Sequence, residues 1–292
     1  MLIRVLLLGF FFPLTIQEES IETTTRKIVD VNSQEDLWNT IKDQYVQNEV
    51  EISPEGEVNK PLRRTGYLKV VCVSDTHDNF DKIYDSIPEG DVFVYAGDLS
   101  NYGEVDEINE YNRLVGQLPH KHKLVTSGNH ELGFDKTEDE SLRKEKYQGK
   151  GTAEGYKLLT NVTYLFNEGV KIDGVSFYGA PWHPLSGFPF YRTRDVIGQE
   201  WDKIPNDVDV LITHSPPLGY LDLYPPVERW GDYSLLQKIN QVHPSFHVFG
   251  HNHYARGALS DGNTTFMNVA SKRGDGTGYN PPLVFYIPKR RL

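Results

Sequence analysis

Nine short apolar runs, each too short for an ordinary helix, limit what this chain can fold into. They span 68–74, 92–96, 123–127, 163–167, 175–180, 208–213, 246–249, 265–269 and 283–287. Each is rich in Val, Ile, Phe or Tyr and is bounded by Gly, Pro, Asn or Asp, the pattern of buried strands. Helical periodicity falls between several of them. Val105, Ile108, Tyr111, Asn112 and Val115 mark one helix, opened by Glu104 and Asp106 near its positive end. Leu235, Leu236, Ile239 and Val242 mark another. Strands mixed with helices and short loops point to an α/β sandwich, sheets inside and helices outside. A chain of 292 residues suffices for one large domain with a sizeable core, or two small ones.

Five of the runs lead directly into a short polar motif. Asp75-Thr76-His77 follows the first, Gly97-Asp98 the second and Gly128-Asn129-His130-Glu131 the third. Thr213-His214 closes the run at 208–213, and Gly250-His251-Asn252-His253 follows 246–249. In open α/β sheets ligands bind beyond the carboxyl ends of strands, so these five loops are expected to meet. Residues at i and i+2 of an extended chain point the same way. Asp75 and His77 can then aim at one ion, and His251 and His253 at a common centre. Gly97, Gly128 and Gly250 permit tight turns and close backbone approach.

Singly, these motifs say little, since Asp and His often stabilise turns and Asn accepts left-handed backbone. Jointly they say more. Five of the ten histidines (77, 130, 214, 251 and 253) fall in strand-end motifs. Burying several imidazoles and carboxylates together without a cation is costly. Asp75, His77, Asp98, Asn129, His214, His251 and His253 offer two carboxylates, one amide oxygen and four imidazoles. Such a set suits Mn, Fe or Zn better than calcium. One tetrahedral site uses four protein ligands or fewer, so seven fit two divalent ions if a carboxylate bridges them. Two ions about 3.5–4 Å apart clamp the attacking and leaving oxygens of an in-line phosphoryl displacement.

In order and in kind, Asp75-x-His77, Gly97-Asp98, Gly128-Asn129-His130-Glu131, His214 and Gly250-His251-x-His253 resemble the signature of the calcineurin-like metallophosphoesterases, over about residues 67–288. More narrowly, Ala180-Pro181-Trp182, the stretch 209–219, 247–251 and Asn280-Pro281-Pro282 are similar to the animal metallophosphoesterase domain-containing subfamily, which resembles class III cyclic-nucleotide phosphodiesterases. The resemblance implies a four-layer α/β/β/α sandwich of two mixed sheets flanked by helices. It also implies Asp75, His77, Asp98 and His253 on one metal, with Asp98 bridging to a second held by Asn129, His214 and His251. His130 matches the family's catalytic histidine beside the substrate phosphate. Asp78 stands where the commonest form of the first motif has Gly; it either orients His77 or His130, or caps the helix that follows near Lys82.

The reaction implied is hydrolysis of a phosphodiester, cyclic nucleotides included. A water between the ions loses its proton near neutral pH and attacks phosphorus in line, while His130 serves the leaving group. The alternatives are a phosphomonoesterase or protein phosphatase, or a nucleotide-binding scaffold of low activity. Among loop residues near the motifs, Trp182 and Arg256 are candidates for stacking on a nucleobase. The formal net charge of −11 disfavours nucleic acid and anionic membranes as partners, but bound cations would still admit a small phosphoester. Nothing in the sequence sets an oligomeric state.

Outside the domain, residues 18–66 read as a polar extension, with a short helix over Asp36–Val46. Arg4 ahead of the apolar run 5–16 makes residues 1–17 a candidate signal peptide, too short for a lasting membrane anchor. The sequons at Asn161 and Asn263 agree with secretion; the single cysteine, Cys72, rules out an intrachain disulfide. Cys72 itself reads as a small buried apolar residue. If the secretory reading holds, mass spectrometry of the expressed protein finds the apolar N-terminus removed; an intact Met1 without glycan excludes it.

Overall fold

Along the first long strand, Val70 and Cys72 face one way and Val71 and Val73 the other, and all four are buried. A strand apolar on both faces needs cover on both sides, which a sheet sandwiched between another sheet and helices provides. The computed structural model describes residues 33–290, so the candidate signal peptide and the start of the polar extension lie outside the described residues. The chain runs α1 Gln34–Ile41, β1 Asn48–Glu49, β2 Glu57–Val58, β3 Tyr67–Val73, α2 Asp81–Tyr84, β4 Val92–Ala96, α3 Val105–Gln117 and β5 His122–Thr126. It continues β6 Thr163–Tyr164, β7 Glu168–Ile172, β8 Val175–Ala180, α4 Gly198–Trp201, β9 Val210–Thr213, β10 Leu223–Tyr224 and β11 Glu228–Arg229. The last elements are α5 Tyr233–Val242, β12 Phe246–Phe249, β13 Gly257–Ser260, β14 Thr265–Asn268 and β15 Leu283–Pro288.

These strands form two large mixed sheets. One has the order β2-β15-β3-β4-β5-β6 and the other β1-β13-β14-β12-β9-β8-β7. Val70, Cys72, Val92 and Val94 of the first share an inner core with Phe177, Val210, Ile212 and Val248 of the second. Phe246 and Phe285 stack across it with ring centroids 3.9 Å apart. Burial there pushes the Cys72 thiol well above its ordinary pKa, as expected of an inert packing residue. Outward-facing Phe93 and Tyr95 meet α3, where Tyr95 and Tyr111 lie 5.0 Å apart. Helix α5 adds Leu235, Leu236 and Ile239 to the cluster holding Leu211, Phe249 and Phe266. The fold is thus the expected sandwich of two mixed sheets with helices. Among the described residues, no helix is long and apolar enough to cross a membrane.

Two features depart from the sequence reading. The helix expected over Asp36–Val46 starts earlier, because Ser33 accepts a hydrogen bond from the Asp36 amide at 3.1 Å, and its α-helical part ends at Ile41. The polar stretch also does not stop short of the body. Strand β1 pairs with β13, β2 pairs with β15, and Leu37 and Trp38 are buried. Short two-residue strands and a single apolar turn carry too little periodicity to stand out in a charged segment.

Trp38 lies against Gly219, where a Cβ would run into the indole, and against Tyr220 at 6.5 Å between centroids. The Arg229 guanidinium sits 5.3 Å over its ring. Trp38→Ala should therefore destabilise the fold by about 3–5 kcal/mol in denaturant unfolding. An unchanged midpoint would mean that this helix is only an appendage.

Candidate metal centre

The polar motifs leave the C-terminal ends of β3, β4, β5, β9 and β12. In the first sheet β3, β4 and β5 are parallel neighbours, as β9 and β12 are in the second, so all five loops emerge together. The backbone then zips them up. Asp75, His77 and Asp78 amides donate to Gly97, Asp98 and Leu99 carbonyls at 3.0, 3.1 and 2.9 Å, and the Gly250 amide donates to His214 O at 3.1 Å. Across the two sheets, the His251 amide donates to Asp75 Oδ2 at 3.0 Å.

The first motif does not converge in the expected way. Asp75, His77 and Asp78 have φ of 54°, 47° and 59°, so this is left-handed backbone rather than extended chain. Asp98 and His251 are left-handed too, at 58° and 67°. Such conformations carry strain for residues other than glycine and collect at functional sites. Asp78 takes the turn that glycine would take more easily. It makes no cap: α2 begins after Phe80 with no side-chain cap, and the Asp78 carboxyl is instead drawn up in pKa by burial and by Glu107, Asp81 and Glu110. Gly250 is needed for close approach, since a Cβ there would strike Asp75 Oδ2 and Ser74 Oγ.

All seven candidate ligands come together. His253 Nε2 lies 3.2 Å from Asp75 Oδ1 and 3.1 Å from His77 Nε2. His214 Nε2 lies 3.0 Å from Asn129 Oδ1 and 3.2 Å from His251 Nδ1. Asp98 Oδ2 stands between the two groups, 3.7 Å from His77 Nε2 and 3.3 Å from His214 Nε2. His214 Nδ1 faces Ala96 O at 2.9 Å, which turns Nε2 toward Asp98 and Asn129. Burial works against a charge on His214, yet Asp98 and Asp75 outweigh it and raise its pKa to about 10. Burial drives His77 the other way, to about 3. The cluster draws positive charge while several of its nitrogens stay unprotonated, which is what a divalent cation requires. The donor set fits two ions, with Asp98 Oδ2 common to both groups.

Glu131, an unassigned member of its motif, ties the loops together. Its buried carboxylate accepts from the amides of Asp98 at 3.0 Å, Ser100 at 3.1 Å and Gly128 at 2.6 Å, and from Ser100 Oγ at 3.1 Å. Burial and the Asp98 charge push its pKa to about 7 against those donors.

His130 lies at the edge of the cluster. Its amide donates to Asp98 Oδ1 at 2.8 Å, and its Nδ1 faces Asn101 O at 2.7 Å, which leaves Nε2 as the free ring nitrogen. The ring packs 4.7 Å from His77, 5.8 Å from Tyr147 and 5.5 Å from Phe188. A cleft of about 320 Å³ opens beside it, walled by Phe188, Tyr224, Trp230 and Tyr254. Tyr224 and Trp230 stack at 4.2 Å, on and beside the β10–β11 hairpin.

Trp182 and Arg256 do not line that cleft. Trp182 is 2% exposed, donates to Asn167 Oδ1 at 2.9 Å and carries the Arg192 guanidinium 4.2 Å over its ring. Arg256 donates to Pro281 O at 2.7 Å. Trp182 is consumed by packing, and Arg256 is turned toward a backbone carbonyl outside the cleft. The aromatic residues that do wall it lie in loops or in the two-residue strand β10, where no periodic signal marks them.

A buried carboxylate shared by two nests of imidazole, oxygen and carboxyl donors at the ends of parallel strands defines a metal-dependent phosphoester hydrolase. Residues 68–255 match the family described as Calcineurin-like phosphoesterase, and the chain belongs to it. It is 48% identical over 266 residues to the UPF0046 protein K07C11.7 of Caenorhabditis elegans, covering 90% of this chain and 91% of that one. It is 39% identical over 239 residues to the human Metallophosphoesterase domain-containing protein 1, covering 77% and 73% respectively. One solved structure superposes with a TM-score of 0.51 at 18% identity, over 68% of this chain and 89% of its own, a likeness of fold.

If Asp98 serves both groups, Asp98→Asn should reduce bound divalent metal from two ions per chain to about one or none by elemental analysis, with the circular dichroism spectrum retained. Two tightly held ions in that variant would rule out the shared role.

Proposed function

We propose that the protein is a phosphodiesterase for nucleotide-type diesters, cyclic nucleotides among them. Asp75, His77, Asp98 and His253 hold one cation; Asp98, Asn129, His214 and His251 hold the other, with manganese a suitable ion for these ligands. Two divalent ions so held supply an acidified water and neutralise charge on the phosphoryl oxygens. The chain's own residues do the rest. Asp98 keeps the two halves in register, and Glu131 fixes the loops that carry Asp98 and Asn129. His130 presents Nε2 to the leaving oxygen and delivers its proton, with Nδ1 anchored by Asn101.

The observation that carries the reading is the aromatic wall beside the donor cluster. Among the described residues, no Lys or Arg lines the cleft walled by Phe188, Tyr224, Trp230 and Tyr254. A dianionic monoester would want cations there; a diester, with one charge and an organic substituent, suits an aromatic face. We assign base stacking to Trp230 and Tyr224 rather than to Trp182.

The test is a panel of cyclic AMP, cyclic GMP, bis-p-nitrophenyl phosphate, p-nitrophenyl phosphate and a phosphopeptide, assayed with Mn and with metal analysis of the same sample. Diesters should be the preferred substrates, and His130→Ala should lower kcat about 10²–10⁴-fold at near-normal metal content. Activity confined to monoesters or phosphopeptides would overturn the assignment, and loss of metal with unchanged activity per bound ion would remove His130 from its role.

A further inference from the structure

The space around His130 has a second lobe, opposite in character to the aromatic one. It measures about 330 Å³ and shares His77, His130 and His253 with the first, but its other walls are Asn101, Tyr102, Lys146, Tyr147 and Lys272. Among the described residues no carboxylate lines it, in a chain whose formal net charge is −11. Lys150, by contrast, pairs with Glu104 at 3.6 Å. Among the described residues, neither Lys146 nor Lys272 has a carboxylate partner within 4 Å.

The backbone that carries each lysine is held in place. Arg143, buried, donates to both Glu138 carboxylate oxygens at 2.5 and 2.7 Å and to Lys150 O at 2.7 Å, which closes the segment between them. That closure fixes the turn Glu145–Tyr147, whose tyrosine packs on His130 and whose Lys146 Nζ lies 4.6 Å over the Tyr147 ring. On the other side, the Lys272 amide donates to Asp75 O at 3.2 Å, anchoring Lys272 to the first motif. An unneutralised pair of ammonium groups next to a reacting centre is an electrostatic trap for a second anion.

We infer that the Lys146–Lys272 lobe is an anion subsite, and that the substrate is a phosphodiester bearing a further phosphate on the substituent that enters this lobe. The inference rests on the phosphodiesterase reading. Its chemistry is plain hydrolysis: water oxygen bonds to phosphorus and its proton passes to solvent, the ester P–O bond breaks, and the departing oxygen takes a proton from His130 Nε2, which solvent restores. The second phosphate only binds, and is released intact on its own fragment.

The experiment compares kcat/KM for two adenosines joined by a 3′,5′-phosphodiester, with and without a terminal 5′-phosphate. It uses the wild-type holoenzyme, the Lys146→Gln/Lys272→Gln variant, and Lys146→Gln alone, because that side chain is exposed and its loss spares the fold. Wild type should favour the phosphorylated dinucleotide by about 10–100-fold, falling to about twofold or less in the double variant. Cleavage of both dinucleotides by wild type without preference overturns the subsite alone. A preference that survives in the double variant overturns the lysine assignment. Failure of wild type on both dinucleotides and on bis-p-nitrophenyl phosphate overturns the phosphodiesterase reading beneath it.

Discussion

Lone pairs pointed at one another repel, and the loops around Asp98 gather an amide oxygen, two carboxylates and four imidazoles within a few ångströms. The backbone is what resists that repulsion. Glu131 gathers the amides of Asp98, Ser100 and Gly128, and Asp75 takes the His251 amide from the opposite sheet. The two sheets are therefore held together at this edge by hydrogen bonds that also aim the ligands. Folding produces the arrangement, and binding of cations relieves it.

This logic explains the cluster of left-handed residues. Asp75, His77, Asp98 and His251 turn sharply from a parallel strand into the donor cluster, and glycine there would remove the side chain that the cluster is built from. Glycines are spent instead where the backbone itself blocks the way, as at Gly250 against Asp75 and Ser74. Strand positions supply the place, and local strain supplies the aim.

Much of this was legible in the sequence. The strands at 92–96, 175–180 and 246–249 have the limits their apolar runs suggest, because both faces are buried and the runs stop at turn residues. The meeting of the seven candidate ligands beside His130 was legible because metal chemistry admits few residue types and each candidate sits at a strand end. What escaped was whatever lacks a period or a fixed chemistry. Strand β7 is mostly exposed, β1 and β2 have two residues each, and the aromatic wall comes from loops and the two-residue strand β10. Trp182 shows the reverse error: a loop tryptophan near the motifs satisfied its indole N–H with Asn167 and became core.

The support of the cleft wall has a consequence for how such enzymes diverge. Helix α1 reaches the β10–β11 hairpin through Glu35, which pairs with Arg229 at 2.7 Å, and through Trp38 beneath the same arginine. That helix precedes the stretch, 68–255, by which the family is recognised. A change at Glu35 or Trp38 would act on this hairpin without touching the donor cluster around Asp98. One support of the cleft wall thus lies on a different stretch of chain from the donor cluster.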